Sequence, residues 1–78
     1  MIFLNEVTIT FGQKVKNRRK ELGYTQVELA QKLQTSQSYI SRLESGTFKP
    51  SMPMIINIAI TLNISIDYLL LDKREVIS

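Results

Sequence analysis

The sequence contains no cysteine and no histidine. These absences exclude disulfide bonds, a Cys/His zinc site, a thiol nucleophile and the commonest general base of enzymes. No nucleophile with a neighbouring base stands out, so we expect neither an enzyme nor a bound cofactor or metal. Glycine and proline are scarce, at 3 and 2 residues, and 44% of the residues are hydrophobic, a balance typical of a globular chain rather than a disordered one.

The length of 78 residues is sufficient for one small domain and leaves no room for a second, since domains commonly contain about 100 to 200 residues. Ten Lys and Arg against seven Asp and Glu give a formal net charge of +3, which mildly favours polyanionic partners. The apolar stretch at residues 1–4 is short and has no basic flank. We therefore predict no signal peptide and no membrane span, and we expect a cytoplasmic protein.

Capping signals and apolar spacing predict an all-α fold with five helices. Capping boxes of the form Ser/Thr-x-x-Glu/Gln begin at Thr10 and Thr25, polar residues 34–36 separate the second helix from the third, and Ser51 caps the fourth. The predicted helices run from about Phe11 to Leu22, from Thr25 through Leu33, from near Gln37 to Gly46, from Ser51 to about Leu62, and from Ile66 to Leu70.

The two ends of the chain do not follow this helical pattern. Val7, Ile9 and Phe11 alternate with threonines in the period of two typical of a strand, so residues 1–9 are assigned to an N-terminal arm. The domain spans residues 10–71. Residues 72–78 form a tail that is either frayed or paired with the arm.

Residues 26–45 contain two short helices joined by a three-residue turn. Ala30 is small enough for the helices to cross there, and Ile40 and Leu43 supply the buried contacts of the second helix. Such a unit can place its second helix in a DNA groove. If Ile40 and Leu43 face inward, the opposite side of that helix is open to base edges. The predicted base contacts are Gln37, Ser38, Ser41 and Arg42.

Two of these side chains suit particular bases. Gln37 is expected to read adenine, and Arg42 can contact guanine with two hydrogen bonds or bind a phosphate instead. Phosphate contacts are expected at the starts of the second and third of the five helices, where unpaired N–H groups favour anions, and just after the third helix. The predicted phosphate contacts are Thr25, Gln26, Ser36, Tyr39 through its hydroxyl, Ser45 and Lys49. The alternatives are that the Thr and Ser residues are only helix caps, and that the cations of the first helix are only a solvated face.

Three segments together resemble the phage Cro and repressor type of helix-turn-helix proteins: YTQVELAQKL at residues 24–33, SQSYISRLESG at residues 36–46 and ISIDYLL at residues 64–70. The resemblance covers residues 11–70. It implies a five-helix, lambda-repressor-like DNA-binding domain of a bacterial or phage transcription regulator that binds palindromic operators as a dimer. It also implies that Arg19 pairs with Glu44 beneath the DNA surface, which directs the arginine toward the DNA backbone.

The sequence departs from the family pattern at two positions. Gln34 and Asn63 stand where the family favours glycine, and both positions are expected to need a left-handed backbone. Asparagine tolerates this geometry well, whereas Gln34 is expected to cost about 1 to 2 kcal/mol.

The fourth helix is apolar on nearly every side. We expect Met52, Ile55, Ala59 and Leu62 to face the core, which leaves further apolar side chains on another face. Either the fifth helix or the arm covers this second face, or it is a homodimer interface, which we favour. The predicted interface residues are Ile56, Ile60 and Leu71.

The favoured function is therefore a sequence-specific, double-stranded-DNA-binding transcription regulator, a repressor acting as a homodimer. One alternative is an antitoxin or restriction-modification controller of the same fold, the former with a toxin as its protein partner. A second alternative is a protein-interaction module that has kept the fold and lost DNA readout.

Overall fold

The computed structural model describes residues 10–70, and the five α-helices of this part are α1 (Phe11–Glu21), α2 (Gln26–Lys32), α3 (Gln37–Glu44), α4 (Met52–Leu62) and α5 (Ile66–Leu70). No strand occurs between residues 10 and 70, as the all-α prediction requires. The predicted arm at residues 1–9, the tail at residues 72–78 and Leu71 lie outside the described residues.

Side-chain caps begin the first four helices at the residues predicted from the sequence. Each cap oxygen accepts a hydrogen bond from a backbone N–H three residues later, which satisfies one of the unpaired donors at a helix start. Both predicted capping boxes are complete. The caps are Thr10, Thr25, Ser36 and Ser51.

The same four helices all end at a residue with positive φ. This residue donates its N–H to the carbonyl three residues back, and the next residue donates to the carbonyl five residues back, which is the Schellman arrangement. Two of these residues are glycines, and the other two have the left-handed geometry predicted for them. They are Gly23 (φ 80°), Gln34 (φ 58°), Gly46 (φ 84°) and Asn63 (φ 54°).

The core lies between the inner faces of all five helices. Its largest fully buried side chains are Val15, Leu29, Ile40, Leu43, Ile58, Leu62 and Leu69. Ala30 is buried, as predicted, in the helix-turn-helix unit that α2 and α3 form. The prediction that Met52 faces the core is wrong, since 50% of its surface is exposed. Side chains in a helix lean toward its N-terminus, so a residue in the first turn of α4 projects past the end of the core. Ile58, which was not among the predicted core residues of α4, is fully buried.

Two cations of α1, Lys14 and Arg18, donate hydrogen bonds to backbone carbonyls of other helices. Lys14 Nζ donates to the Tyr68 carbonyl of α5 at 2.8 Å, and Arg18 Nε donates to the Leu62 carbonyl at the end of α4, also at 2.8 Å. Carbonyls at helix C-termini carry partial negative charge and lack intrahelical partners, so both contacts are favourable. The hypothesis of a merely solvated face is therefore wrong for Lys14 and Arg18, whereas Lys16 and Lys20 are exposed as it requires.

Gly12 allows α1 to cross close to the end of α3. A Cβ atom at this position would lie 2.7 Å from the Glu44 carbonyl oxygen and closer still to that of Leu43. The crossing sets the position of α3 relative to α1. Within residues 10–70, no helix combines the length and the apolar character needed to span a bilayer.

Candidate nucleic-acid interface

The outward face of α3 carries the four side chains that were predicted to contact bases. Ile40 and Leu43 have no exposed surface, which fixes the rotation of α3 about its axis. Side chains four residues apart lie one above the other on a helix, so the remaining polar residues form two adjacent exposed columns. These columns are Gln37 above Ser41 and Ser38 above Arg42, all exposed.

A continuous chain of hydrogen bonds connects this face to a buried ion pair. Gln37 Nε2 donates to Gln26 Oε1 at 2.7 Å, and Gln26 Nε2 donates to Glu44 Oε1 at 3.1 Å. Glu44 in turn accepts from Arg19 Nε at 2.7 Å and from Arg19 Nη2 at 3.1 Å. Only 8% of the Arg19 side chain and 3% of the Glu44 side chain are exposed. The ion pair implied by the family resemblance is thus present, and it joins α1 to α3.

The ion pair also decides which way the two amides point. An ionised carboxylate can only accept hydrogen bonds, so Gln26 must turn its NH₂ group toward Glu44 and its oxygen toward Gln37. Gln37 therefore uses one N–H for Gln26, while its Oε1 and second N–H make no other hydrogen bond within residues 10–70 and belong to an exposed side chain. This donor and acceptor pair is the one that recognises the adenine edge in the major groove.

Arg42 lies beside an aromatic pair. Its guanidinium carbon is 5.4 Å from the centre of the Phe48 ring, and the Phe48 ring meets the Tyr39 ring edge-on with centroids 5.1 Å apart. Burial raises the pKa of the Tyr39 phenol and the positive charge of Arg42 opposes this rise, so the hydroxyl is protonated at neutral pH and can donate to a phosphate. The sequence does not indicate Phe48 as a site residue, because a single aromatic in a loop has no periodicity that would show what it packs against.

The remaining predicted phosphate contacts differ in accessibility. Thr25 and Ser36 both act as caps and are exposed at the starts of α2 and α3. Ser45 donates its hydroxyl to the Arg42 carbonyl, and Lys49 is exposed in the loop after α3. Arg19 is only 7% exposed and its Nη1 donates to the Tyr24 carbonyl, and its contact with the DNA backbone stays a prediction.

The second apolar face of α4 remains open in the described part of the chain. Ile60 is 72% exposed and Ile56 is 40% exposed, although α5 packs against α4 through the buried Leu69. The alternative that α5 covers this face is therefore wrong. The alternative that the arm covers it concerns residues outside the described range, as does the predicted contribution of Leu71.

Comparisons with known proteins give a consistent match. The model of the helix-turn-helix family HTH_3 matches residues 15–69. The ImmF control region 10 kDa protein of Bacillus phage phi105 is 33% identical over 66 residues, which are 85% of this chain and 73% of that protein. The HTH-type transcriptional regulator SinR of Bacillus subtilis is 37% identical over 65 residues, and the matched region is 82% of this chain but only 59% of SinR.

Solved structures agree with these sequence matches. SinR in complex with DNA superposes with a TM-score of 0.73 at 35% identity, covering 78% of this chain and 98% of that one. The P22 c2 repressor in complex with a synthetic operator gives a TM-score of 0.74 at 30% identity, covering 78% of this chain and 92% of that one. The predicted lambda-repressor-like, five-helix fold is therefore confirmed.

Proposed function

The chain belongs to the helix-turn-helix family of DNA-binding transcription regulators, and from this premise we propose that it is a cytoplasmic, non-enzymatic repressor that recognises a specific double-stranded DNA sequence. It does so by placing α3 in the major groove, so that bound protein excludes or recruits other factors at a promoter. The observation that carries the proposal is the exposed polar face of α3, in which Gln37 is held by hydrogen bonds that lead to a buried ion pair.

In this mechanism the two ends of the α3 face read different bases. Gln37 donates to N7 and accepts from N6 of an adenine, and Arg42 donates to O6 and N7 of a guanine. Thr25, Ser36 and the N-terminal N–H groups of α3 bind phosphates and fix the register of the helix in the groove. Arg19 contributes by holding Glu44, and through it Gln26, in place.

We further propose that the active form is a homodimer joined through the exposed α4 face. Ile56 and Ile60 are adjacent on one side of α4, and contiguous exposed apolar surface in a small domain favours association. A two-fold dimer presents two α3 helices to half-sites about one DNA turn, or 34 Å, apart, which accounts for a palindromic operator. An antitoxin or a restriction-modification controller would bind DNA through the same α3 face. The two differ in the genes that they regulate, and the antitoxin would in addition bind a toxin.

The test begins with selection of binding sites from random double-stranded DNA, followed by affinity measurements at fixed salt. We expect one preferred palindromic sequence, and we expect Gln37→Ala and Arg42→Ala each to reduce discrimination at a single base position by about 1 to 3 kcal/mol. Lys49→Ala is expected to weaken binding to all sequences alike and to reduce the salt dependence. Gln31→Ala removes an exposed amide from α2, away from the α3 face, and serves as the matched control.

Failure to enrich any sequence over competitor DNA would exclude the proposed function. If Gln37→Ala and Arg42→Ala retain full biological activity, the protein-interaction module is favoured instead.

A further inference from the structure

Phe48 lies in the loop after α3, and its ring contacts two side chains of α3, Tyr39 and Arg42. It is half-buried and packs against the edge of the core together with Tyr39. Its ring meets the Tyr39 ring at an interplanar angle of 71° with centroids 5.1 Å apart, an edge-to-face contact of the kind that aromatic pairs prefer. The ring therefore has a fixed position and orientation on the surface beside α3.

The guanidinium of Arg42 lies against this fixed ring. The distance of 5.4 Å from Arg42 Cζ to the ring centre is within the range of a cation–π contact. A guanidinium that lies on an aromatic surface keeps the N–H groups along its edge available, and these are the groups that pair with guanine or phosphate. The contact thus orders the arginine while leaving its hydrogen-bonding groups available.

The benefit of this order is realised on binding. A solvent-exposed arginine samples many rotamers, and ordering it at an interface costs free energy. Because the Phe48 ring already limits where Arg42 can lie, part of that cost is met in the unbound protein. Tyr39 and Arg42 are three residues apart on α3, so a single loop aromatic contacts both.

We propose that Phe48 is a positioning residue for DNA readout, and that it sharpens base selectivity by holding the Arg42 guanidinium in its reading orientation. This inference rests on the proposed function. Phe48 touches no base in this role and acts entirely through Arg42. A role confined to packing would instead affect all DNA sequences and the folded state without reference to Arg42.

The experiment compares Phe48→Leu, Phe48→Tyr, Arg42→Ala and the double variant Phe48→Leu with Arg42→Ala. Affinities are measured for the selected operator and for a series of operators, each with a single base pair changed. We expect Phe48→Leu to lower discrimination about 2- to 5-fold at the position that Arg42 reads and at no other. Phe48→Tyr retains the aromatic face and should match the wild-type protein. In the Arg42→Ala background, Phe48→Leu should have no further effect on selectivity. Thermal unfolding verifies that each variant is folded at the assay temperature.

Four results overturn the inference, three of them measured on Phe48→Leu and one on Arg42→Ala. One is equal selectivity of Phe48→Leu and the wild-type protein; another is a loss spread evenly over all positions; the third is the same loss in the Arg42→Ala background. An unaltered base preference in Arg42→Ala also overturns it, while leaving operator binding by the protein intact. Absence of any preferred sequence for the wild-type protein is a failure of the proposed function itself, and the two failures are therefore distinguishable.

Discussion

At the scale of single residues, Gln34 is the position where the chain accepts a backbone geometry that its side chain disfavours. It has φ 58° at the end of α2, the same kind of helix end that glycine forms after α1 and α3. The left-handed region costs a residue with a Cβ atom about 1 to 2 kcal/mol. The cost falls on the turn that sets α3 relative to α2.

Replacing Gln34 with glycine should stabilise the protein. Glycine removes the steric cost of the left-handed backbone, but it also gives the unfolded chain more conformational freedom, which cancels about 0.5 to 1 kcal/mol of that gain. We therefore expect the free energy of unfolding to rise by about 0.5 to 1 kcal/mol. Urea denaturation followed by circular dichroism measures it. Gln31→Gly, at an exposed position inside α2, is the control and should lower stability. Equal or lower stability of Gln34→Gly would show that the left-handed turn is not strained.

The side-chain roles that could be predicted from the sequence are those that depend on neighbouring residues or on the family pattern. Caps such as Thr10 and the left-handed geometry at Asn63 were predicted, because each depends on residues within one turn of the chain or on a family pattern. The burial of Lys14 was not predicted, since its partner is the Tyr68 carbonyl, 54 residues away. Only the packing of α5 against α1 brings that carbonyl into reach.

At the scale of helices, the position of α3 depends on two close crossings. Ala30 lies at the crossing with α2 and was predicted, because the helix-turn-helix spacing requires a small residue there. Gly12 lies at the crossing with α1 and was overlooked. It falls inside a capping box that already explained its neighbours, and α3 is distant in sequence. Local signals thus predict where a helix begins, but not which residue another helix touches.

Adding one methyl group at Gly12 should therefore destabilise the domain. Alanine is the better helix former by about 1 kcal/mol, but its Cβ would collide with the backbone at the end of α3, which cannot move as a flexible side chain can. We expect Gly12→Ala to lower the free energy of unfolding by about 1 to 3 kcal/mol. Asn17→Ala, at an exposed position of α1, controls for helix propensity and should be neutral or slightly stabilising. If Gly12→Ala is as stable as the wild-type protein, α1 and α3 do not approach as closely as described.

At the scale of the whole molecule, the two surfaces proposed to matter lie on different helices. The α3 face is polar and contains the reading side chains, and the α4 face is apolar and contains Ile56 and Ile60. The sequence predicted both faces on different grounds. The α3 face follows from the helix-turn-helix layout of residues 26–45, and the α4 face follows because this helix has more apolar residues than its inner side can bury. The chain matches only 59% of the length of SinR, so the comparison establishes the DNA-binding fold and leaves assembly to be tested on this chain.

A charge placed in the α4 face provides that test. Ile60 is the most exposed large apolar residue of the described range, at 72%, so Ile60→Glu should leave the fold unchanged while placing a carboxylate in any apolar interface built there. We expect the wild-type protein to sediment as a dimer and Ile60→Glu as a monomer of unchanged helix content.

The Ile60→Glu monomer should bind an isolated half-site as the wild-type protein does. It should lose the additional affinity for the full palindrome, because only a joined pair of α3 helices gains from two half-sites on one duplex. Val27→Glu introduces the same charge at a 51% exposed position of α2 and should sediment as the wild-type protein does. Dimers of Ile60→Glu would locate the interface elsewhere, and a monomeric wild-type protein that still prefers a palindrome would mean that the two copies meet only on DNA.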